Sequence, residues 1–291
     1  MEFRERAAGV GDAEAICGVI AAAEVGWHGR AEVVVDRVVA DLRRPLIELG
    51  ADTLVVEAPG GAVAGWAWNH GGKRAQVDVH PSYRGLGLGT RLLDWAEGRS
   101  REVGSEWIAQ TVDDADKAGT ELLQSRGYDV LAVNWLLECP LGSRQLSEVP
   151  AGIRLEGYDP ARAEQVHDVV EDAFAQFGSR RKSFAEWAEL TVARASFRPE
   201  ASTLAYDGDV LVGVVIALDG DEGYVEQVAV GVDHRNRGIA RAMLDRTAAE
   251  FHRLGRTNLT LWTHSGTGAL AMYEHLGLSV RRSTTVHRVM L

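Results

Sequence analysis

Apolar positions along this chain fall into two rhythms, and the rhythms come in the same order twice. Ile239, Met243, Thr247, Phe251 and Leu254 recur at steps of three and four, which paints one buried stripe along an α-helix. Leu88, Leu92, Trp95 and Ala96 do the same in the first half. Shorter apolar runs at Thr53–Glu57, Val63–Asn69, Thr203–Tyr206 and Val210–Leu218 predict strands. Gly60-Gly61 and Asp207-Gly208 separate them as hairpin turns. Strands at Gln76–Val79 and Tyr224–Val230 each lead through a short loop into one of the two long helices. Trp107–Gln110 and Asn258–Trp262 follow as strands, and a short helix with two closing strands ends each half. Further helices are predicted from Asp12 to about Glu24, from Asp159-Pro160 to about Phe174, and from Ser183 to Arg194. This order predicts a mixed α/β fold with a central sheet.

The two passes align without gaps. VDVHPSYRGLGLGTRLLDWAE from Val77 lies over VAVGVDHRNRGIARAMLDRTA from Val228, setting Arg84 on Arg235, Gly87 on Gly238 and Gly89 on Ala240. Downstream, Gly127 in LLQSRGYDV meets Gly277 in MYEHLGLSV with one deletion between. Two homologous halves follow from that register. The stretch PLGSRQLSEVPAG has the composition of an exposed linker. The expected division is residues 1–140, a linker at 141–152, and 153–291.

Composition narrows the class. The 291 residues are 46% hydrophobic and 25% charged, enough apolar content for packed cores. Lys and Arg total 31 against 42 Asp and Glu, a formal charge of −11, which argues against nucleic acid or anionic membrane as partner. No run of roughly 18 apolar residues suggests a membrane span. The opening MEFRERAAGVGDAEA lacks the apolar core of a secretory signal. Cys17 and Cys139, far apart, read as ordinary thiols of a reducing cytoplasm. The nine histidines show no metal-ligand spacing, so no metal is expected.

The strongest chemical signal is a turn between strand and helix. It reads Arg84-Gly85-Leu86-Gly87-Leu88-Gly89 in the first half and Arg235-Asn236-Arg237-Gly238-Ile239-Ala240 in the second. Small residues let the backbone approach a bulky anion. Amides at the helix start lack helical partners, and the helix dipole favours negative charge there. Arg84, Arg235 and Arg237 add full positive charge, so a pyrophosphate suits the turn. Neither copy ends in the Gly-Lys-Ser/Thr of a Walker loop, and the glycine intervals do not fit a dinucleotide-binding fingerprint.

The pattern Q/R-x-x-G-x-G/A in both loops resembles motif A of the GNAT acyl-coenzyme A transferases. The preceding strand, the long following helix and MYEHLGL at Met272–Leu278 are similar to the rest of that fold. The resemblance implies two tandem GNAT-type domains and acetyl-CoA as co-substrate. It also implies a splayed sheet whose fourth and fifth strands part to admit the pantetheine arm. The backbone of Val228 and Val230, or of Val77 and Val79, would then hydrogen-bond the arm. The implied reaction is direct attack of a small-molecule primary amine on the thioester, and a non-catalytic acyl-CoA sensor is the alternative.

Family members commonly handle protons with a carboxylate on the fourth strand and a tyrosine on the last helix. Glu226 and Tyr273 match these places, as general base through water and general acid. Strand alternation puts Glu226, Val228 and Val230 on one face; a glutamate there can also simply orient an amine. Many members carry asparagine seven residues before the tyrosine, where this chain has Gly266, so His264 or Ser265 are candidates for its polar role. In the first half the matching positions are Ala75 and Leu123, and Asp78 alternates away from Val77 and Val79. Catalysis is therefore expected in the second half alone. Trp66 and Trp68 read as packing residues.

Overall fold

The computed structural model describes residues 2–44, 47–142, 147–177 and 180–291; residues 143–146 of the expected linker lie outside them. The chain forms two compact units, Met1–Val133 with Ser283–Leu291, and Asn134–Arg282.

In the first unit, α1 (Ala13–His28) and α2 (Val35–Leu42) precede three antiparallel strands, β2 (Thr53–Glu57), β3 (Val63–His70) and β4 (Arg74–Val79). A short helix, α3 (Leu49–Asp52), leads into β2, and β1 (Arg4–Arg6) pairs on its outer side. Then come α4 (Leu88–Glu102), β5 (Trp107–Asp113), α5 (Lys117–Ser125) and the start of β6 (Asp129–Pro140). β5 runs parallel to β4, and its other neighbour is the chain's last strand, β12 (Ser279–Met290), from Thr284↔Asp113 to Met290↔Trp107.

The second unit repeats the plan. β7 (Ile153–Gly157), α6 (Ala163–Ala175) and α7 (Phe184–Leu190) lead to β8 (Thr203–Asp207), β9 (Val210–Asp219) and β10 (Gly223–Val230). After them come α8 (Ile239–Arg253), β11 (Asn258–His264) and α9 (Leu270–His275). Its sheet runs β7-β8-β9-β10-β11-β6, parallel only between β10 and β11. β6 pairs with β11 from Asn258↔Pro140 to His264↔Asn134.

Each sheet is covered on both faces, as the two rhythms require. Ile239, Met243 and Phe251 of α8 pack with Val215, Val225 and Leu261 on one side. Val166 and Val170 of α6 with Trp187 of α7 cover Leu204, Val214 and Ile216 on the other. In the first unit α1 and α2 bury Val55, Trp66 and Trp68, while Leu88 and Leu92 of α4 cover Val56 and Ala64. Each valine, leucine, isoleucine, methionine or phenylalanine among them contributes about 1.5–3 kcal/mol on burial. The tryptophans are therefore packing residues, as read.

Three expectations differ. The helix predicted to Arg194 ends at Leu190, because the chain turns at Thr191, whose backbone lies outside helical angles. Each half closes with one twelve-residue strand rather than two. The boundaries expected at 140 and 153 do not coincide with the compact units: residues 134–140 pair within the second, and residues 283–291 belong to the first.

Candidate active site

β10 and β11 pair only from Gly223↔Leu259 to Val225↔Leu261. Beyond that point β10 continues along β9 to Val230↔Gly213, so its other edge is left open. The first unit has the same split, since β4 and β5 pair only at Arg74↔Ala109 and Ala75↔Gln110. The expected parting of the fourth and fifth strands is thus present in both units.

In the second unit the split opens into a cleft of about 720 Å³. Val228 and Val230 border it on the strand side, and Arg235, Asn236, Gly238, Ile239 and Ala240 border it at the helix start. Gly238 has φ 79° and Asn236 φ 60°, the left-handed conformations that turn the loop into α8. The first helical bond runs from the Ala242 amide to Gly238 O at 3.1 Å, leaving the amides before it without helical acceptors. Arg235 donates to Val230 O at 3.1 Å, to Gln176 Oε1 at 2.8 Å and to Ala173 O at 3.1 Å. Its charge stands at the loop while its hydrogen bonds frame it. Arg237 reaches Asp207 Oδ2 at 3.2 Å.

Glu226 borders the same cleft, but not by alternation. Val225 pairs with Ala217 and Gln227 with Ile216, so Glu226 is the extra residue of a β-bulge. The bulge reverses the parity of the strand. Val225, Val228 and Val230 all pack toward α8, whereas Gln227 accepts a hydrogen bond from Trp187 Nε1 at 2.9 Å on the α7 side. Glu226 Oε2 accepts from Arg194 Nη1 at 3.2 Å. The alternation from which Glu226 was expected to share a face with Val228 and Val230 is thus interrupted at Glu226 itself, which still borders the cleft together with both valines.

Tyr273 lies on α9, 7% exposed, and also borders the cleft. Burial pushes its phenol up to about 12. His264 ends β11 at the cleft, its Nδ1 accepting from the Gly266 amide at 3.1 Å and its ring edge-on to Phe177. A Cβ at Gly266 would stand 2.9 Å from His264 Cε1, so the folded-over imidazole needs the glycine.

The first unit's cavity is about 300 Å³. Val77, Val79, Arg84, Gly85, Gly87, Leu88 and Gly89 border it; Leu86 is exposed on the turn. Gly85 and Gly87 have φ 76° and 80°, and Arg84 lies 5.0 Å over the Trp27 ring. β4 has no bulge, Ala75 pairing regularly with Asn69, and Leu123 is core. Asp78 does turn from Val77 and Val79 toward Trp66, yet it still borders the cavity. Burial pushes its carboxyl up to about 6, against hydrogen bonds from Gln76 Nε2 and Trp66 Nε1 that pull it down. Among the described residues no His, Cys, Asp and Glu cluster could hold a metal ion, and no helix is long and apolar enough to cross a membrane.

Sequence reasoning missed Arg194 and Phe177. Arg194 pairs with a residue 32 positions away, and no periodicity marks that.

The acetyltransferase (GNAT) family model matches residues 164–278, and an acetyltransferase (GNAT) domain model matches residues 50–130. A mycothiol acetyltransferase of Clavibacter sepedonicus is 30% identical over 216 residues, spanning 70% of this chain and 68% of that protein. The chain belongs to the GNAT acetyltransferase family. A mycothiol acetyltransferase of Geodermatophilus obscurus is 28% identical, covering 79% of each chain. The solved structure of a GCN5-related N-acetyltransferase from Sphaerobacter thermophilus matches 99% of this chain and 95% of its own, with TM-score 0.79 and 26% identity. A tandem GNAT protein from the clavulanic acid biosynthesis pathway shares the fold, with TM-score 0.76 and 18% identity over 99% of this chain and 98% of its own. This tandem GNAT chain is accordingly an acyl-CoA-dependent acetyltransferase with acetyl-CoA as co-substrate. The open strand edge, the glycine turn and the unpaired amides of α8 suit that co-substrate.

Proposed function

We propose that the second unit transfers the acetyl group of acetyl-CoA to a primary amine of a small molecule, by direct attack, in the cytoplasm. The observation carrying this reading is the company that the β10–β11 split keeps. A helix-start anion cradle, a carboxylate and a phenol border one cleft there. In the first unit, alanine and leucine stand at the places of the last two.

The amides around Gly238 would hold the pyrophosphate, with Arg235 and Arg237 supplying charge and Asn236, Ile239 and Ala240 the shape of the seat. The open edge of β10 at Val228 and Val230 would pair the pantetheine arm and set the thioester beside Glu226. An amine has its proton until roughly pH 10, so it must be deprotonated before it attacks. Glu226 takes that proton through water. The C–N bond forms, the C–S bond breaks, and the Tyr273 hydroxyl gives its proton to the departing thiolate; the second proton shed by the nitrogen restores the phenol through water. Burial supports this role, because it keeps the phenol protonated across the working range. In the first unit Val77, Val79, Arg84, Gly85, Leu86, Gly87, Leu88 and Gly89 would seat a second coenzyme A without turnover.

The mycothiol acetyltransferase relatives support a small-molecule acceptor, and the charge of −11 suits a cationic one. The test is a panel of primary amines, including polyamines and aminoglycosides, scored by release of free thiol from acetyl-CoA. Turnover with one class is expected. Tight acetyl-CoA binding with no turnover on any amine would favour a sensor instead.

A further inference from the structure

Glu226 stands on the irregular point of β10, where the strand's pleat does not dictate where its carboxylate points. Two side chains from residues 187–194 hold the bulge. Trp187, fully buried on α7, donates Nε1 to Gln227 Oε1 at 2.9 Å, and Arg194 donates Nη1 to Glu226 Oε2 at 3.2 Å. The Arg194 side chain is 4% exposed and that of Glu226 is 14%. The turn delivering Arg194 is itself pinned. Thr191 Oγ1 donates to Trp187 O at 2.6 Å, and the Ala193 amide to Ala188 O at 2.8 Å.

A carboxylate taken out of water is driven toward its neutral form, in which it cannot accept a proton. A guanidinium stays charged at any working pH, so it opposes that drift while fixing one oxygen. Arg194 is not among the residues that border the cleft, so it acts through its partner. The regular strand of the first unit, with Ala75 at this place, has no carboxylate to hold.

We infer that Arg194 is a positioning residue for acetyl transfer, holding the Glu226 carboxylate ionised and turned to the β10–β11 split. This rests on the reading of Glu226 as general base.

The test compares Arg194→Met, Arg194→Lys, Glu226→Gln and the double variant Arg194→Met with Glu226→Gln, using acetyl-CoA and the best acceptor of the amine panel. Arg194→Met should lower kcat by about 10²-fold, within the span of acid–base contributions, with little change in KM for acetyl-CoA. Arg194→Lys should recover much of that loss. In the Glu226→Gln background, Arg194→Met should have almost no further effect. An equal fall in both backgrounds, or a fall confined to KM, would overturn the inference. A second measurement needs no acceptor. In protein labelled with [5-13C]glutamate, the Glu226 signal is the one absent from Glu226→Gln. Its titration midpoint should lie higher in Arg194→Met than in the wild type, while the other titratable or charged groups that border the cleft, His234, Arg235, Arg241, His264 of β11 and Tyr273 of α9, are left in place by the substitution. An unmoved midpoint overturns the inference whichever amine is accepted. Full activity of Glu226→Gln would instead sink the base assignment.

Discussion

Tyr273 shows how one position can be reserved for a single protonation state. Its phenol, pushed up to about 12 by burial, remains a donor well above neutral pH. Tyr273→Phe should therefore cut turnover by about 10²–10⁴-fold while leaving acetyl-CoA affinity nearly unchanged, which steady-state kinetics and calorimetry separate. An undiminished rate would remove it from the chemistry. Asp78 offers a check on stability. Its folded value of about 6 lies above the ordinary 3.8, so the folded state binds the proton more tightly and stability falls as pH rises from about 4 to 6. Asp78→Asn removes that penalty and keeps an acceptor for Trp66. Its melting temperature should exceed that of the wild type at pH 7.5 and lose the advantage at pH 4.5, at about 2–4 °C per kcal/mol. An advantage equal at both values would contradict the assignment.

Among the elements, α8 and its entry turn were the most readable from sequence. The stripe Ile239, Met243, Thr247, Phe251 is buried throughout, and the glycine before it does take a left-handed angle. Gly238→Val should weaken acetyl-CoA binding at least about tenfold by calorimetry, because φ 79° strains a β-branched residue and its side chain would crowd the seat. Normal affinity would refute the cradle. Glu226 was legible as a residue, but the bulge that carries it was not. A bulge is a property of a strand pair, and the mismatch of Val225 and Gln227 against Ala217 and Ile216 leaves no mark on β10 alone. The helix α2 escaped notice because its eight residues mix valines with Asp36, Arg37 and Asp41 in too short a window to fix a period.

At the scale of the whole molecule, the repeat was legible and its partition was not. Internal similarity reports ancestry, whereas unit membership depends on which edges pair, and β6 and β12 each read simply as the end of their own half. The unequal halves predict unequal responses to one substitution. Gly87→Val in the first unit should leave turnover almost intact, whereas a folded but inactive protein would move the active site there. The placement of residues 283–291 also bears on synthesis. The second unit has all its strands once the chain has been made through Arg282, but the first must wait for residues 283–291 to leave the ribosome. Until then β5 has an exposed edge, and the half translated first is the last to mature.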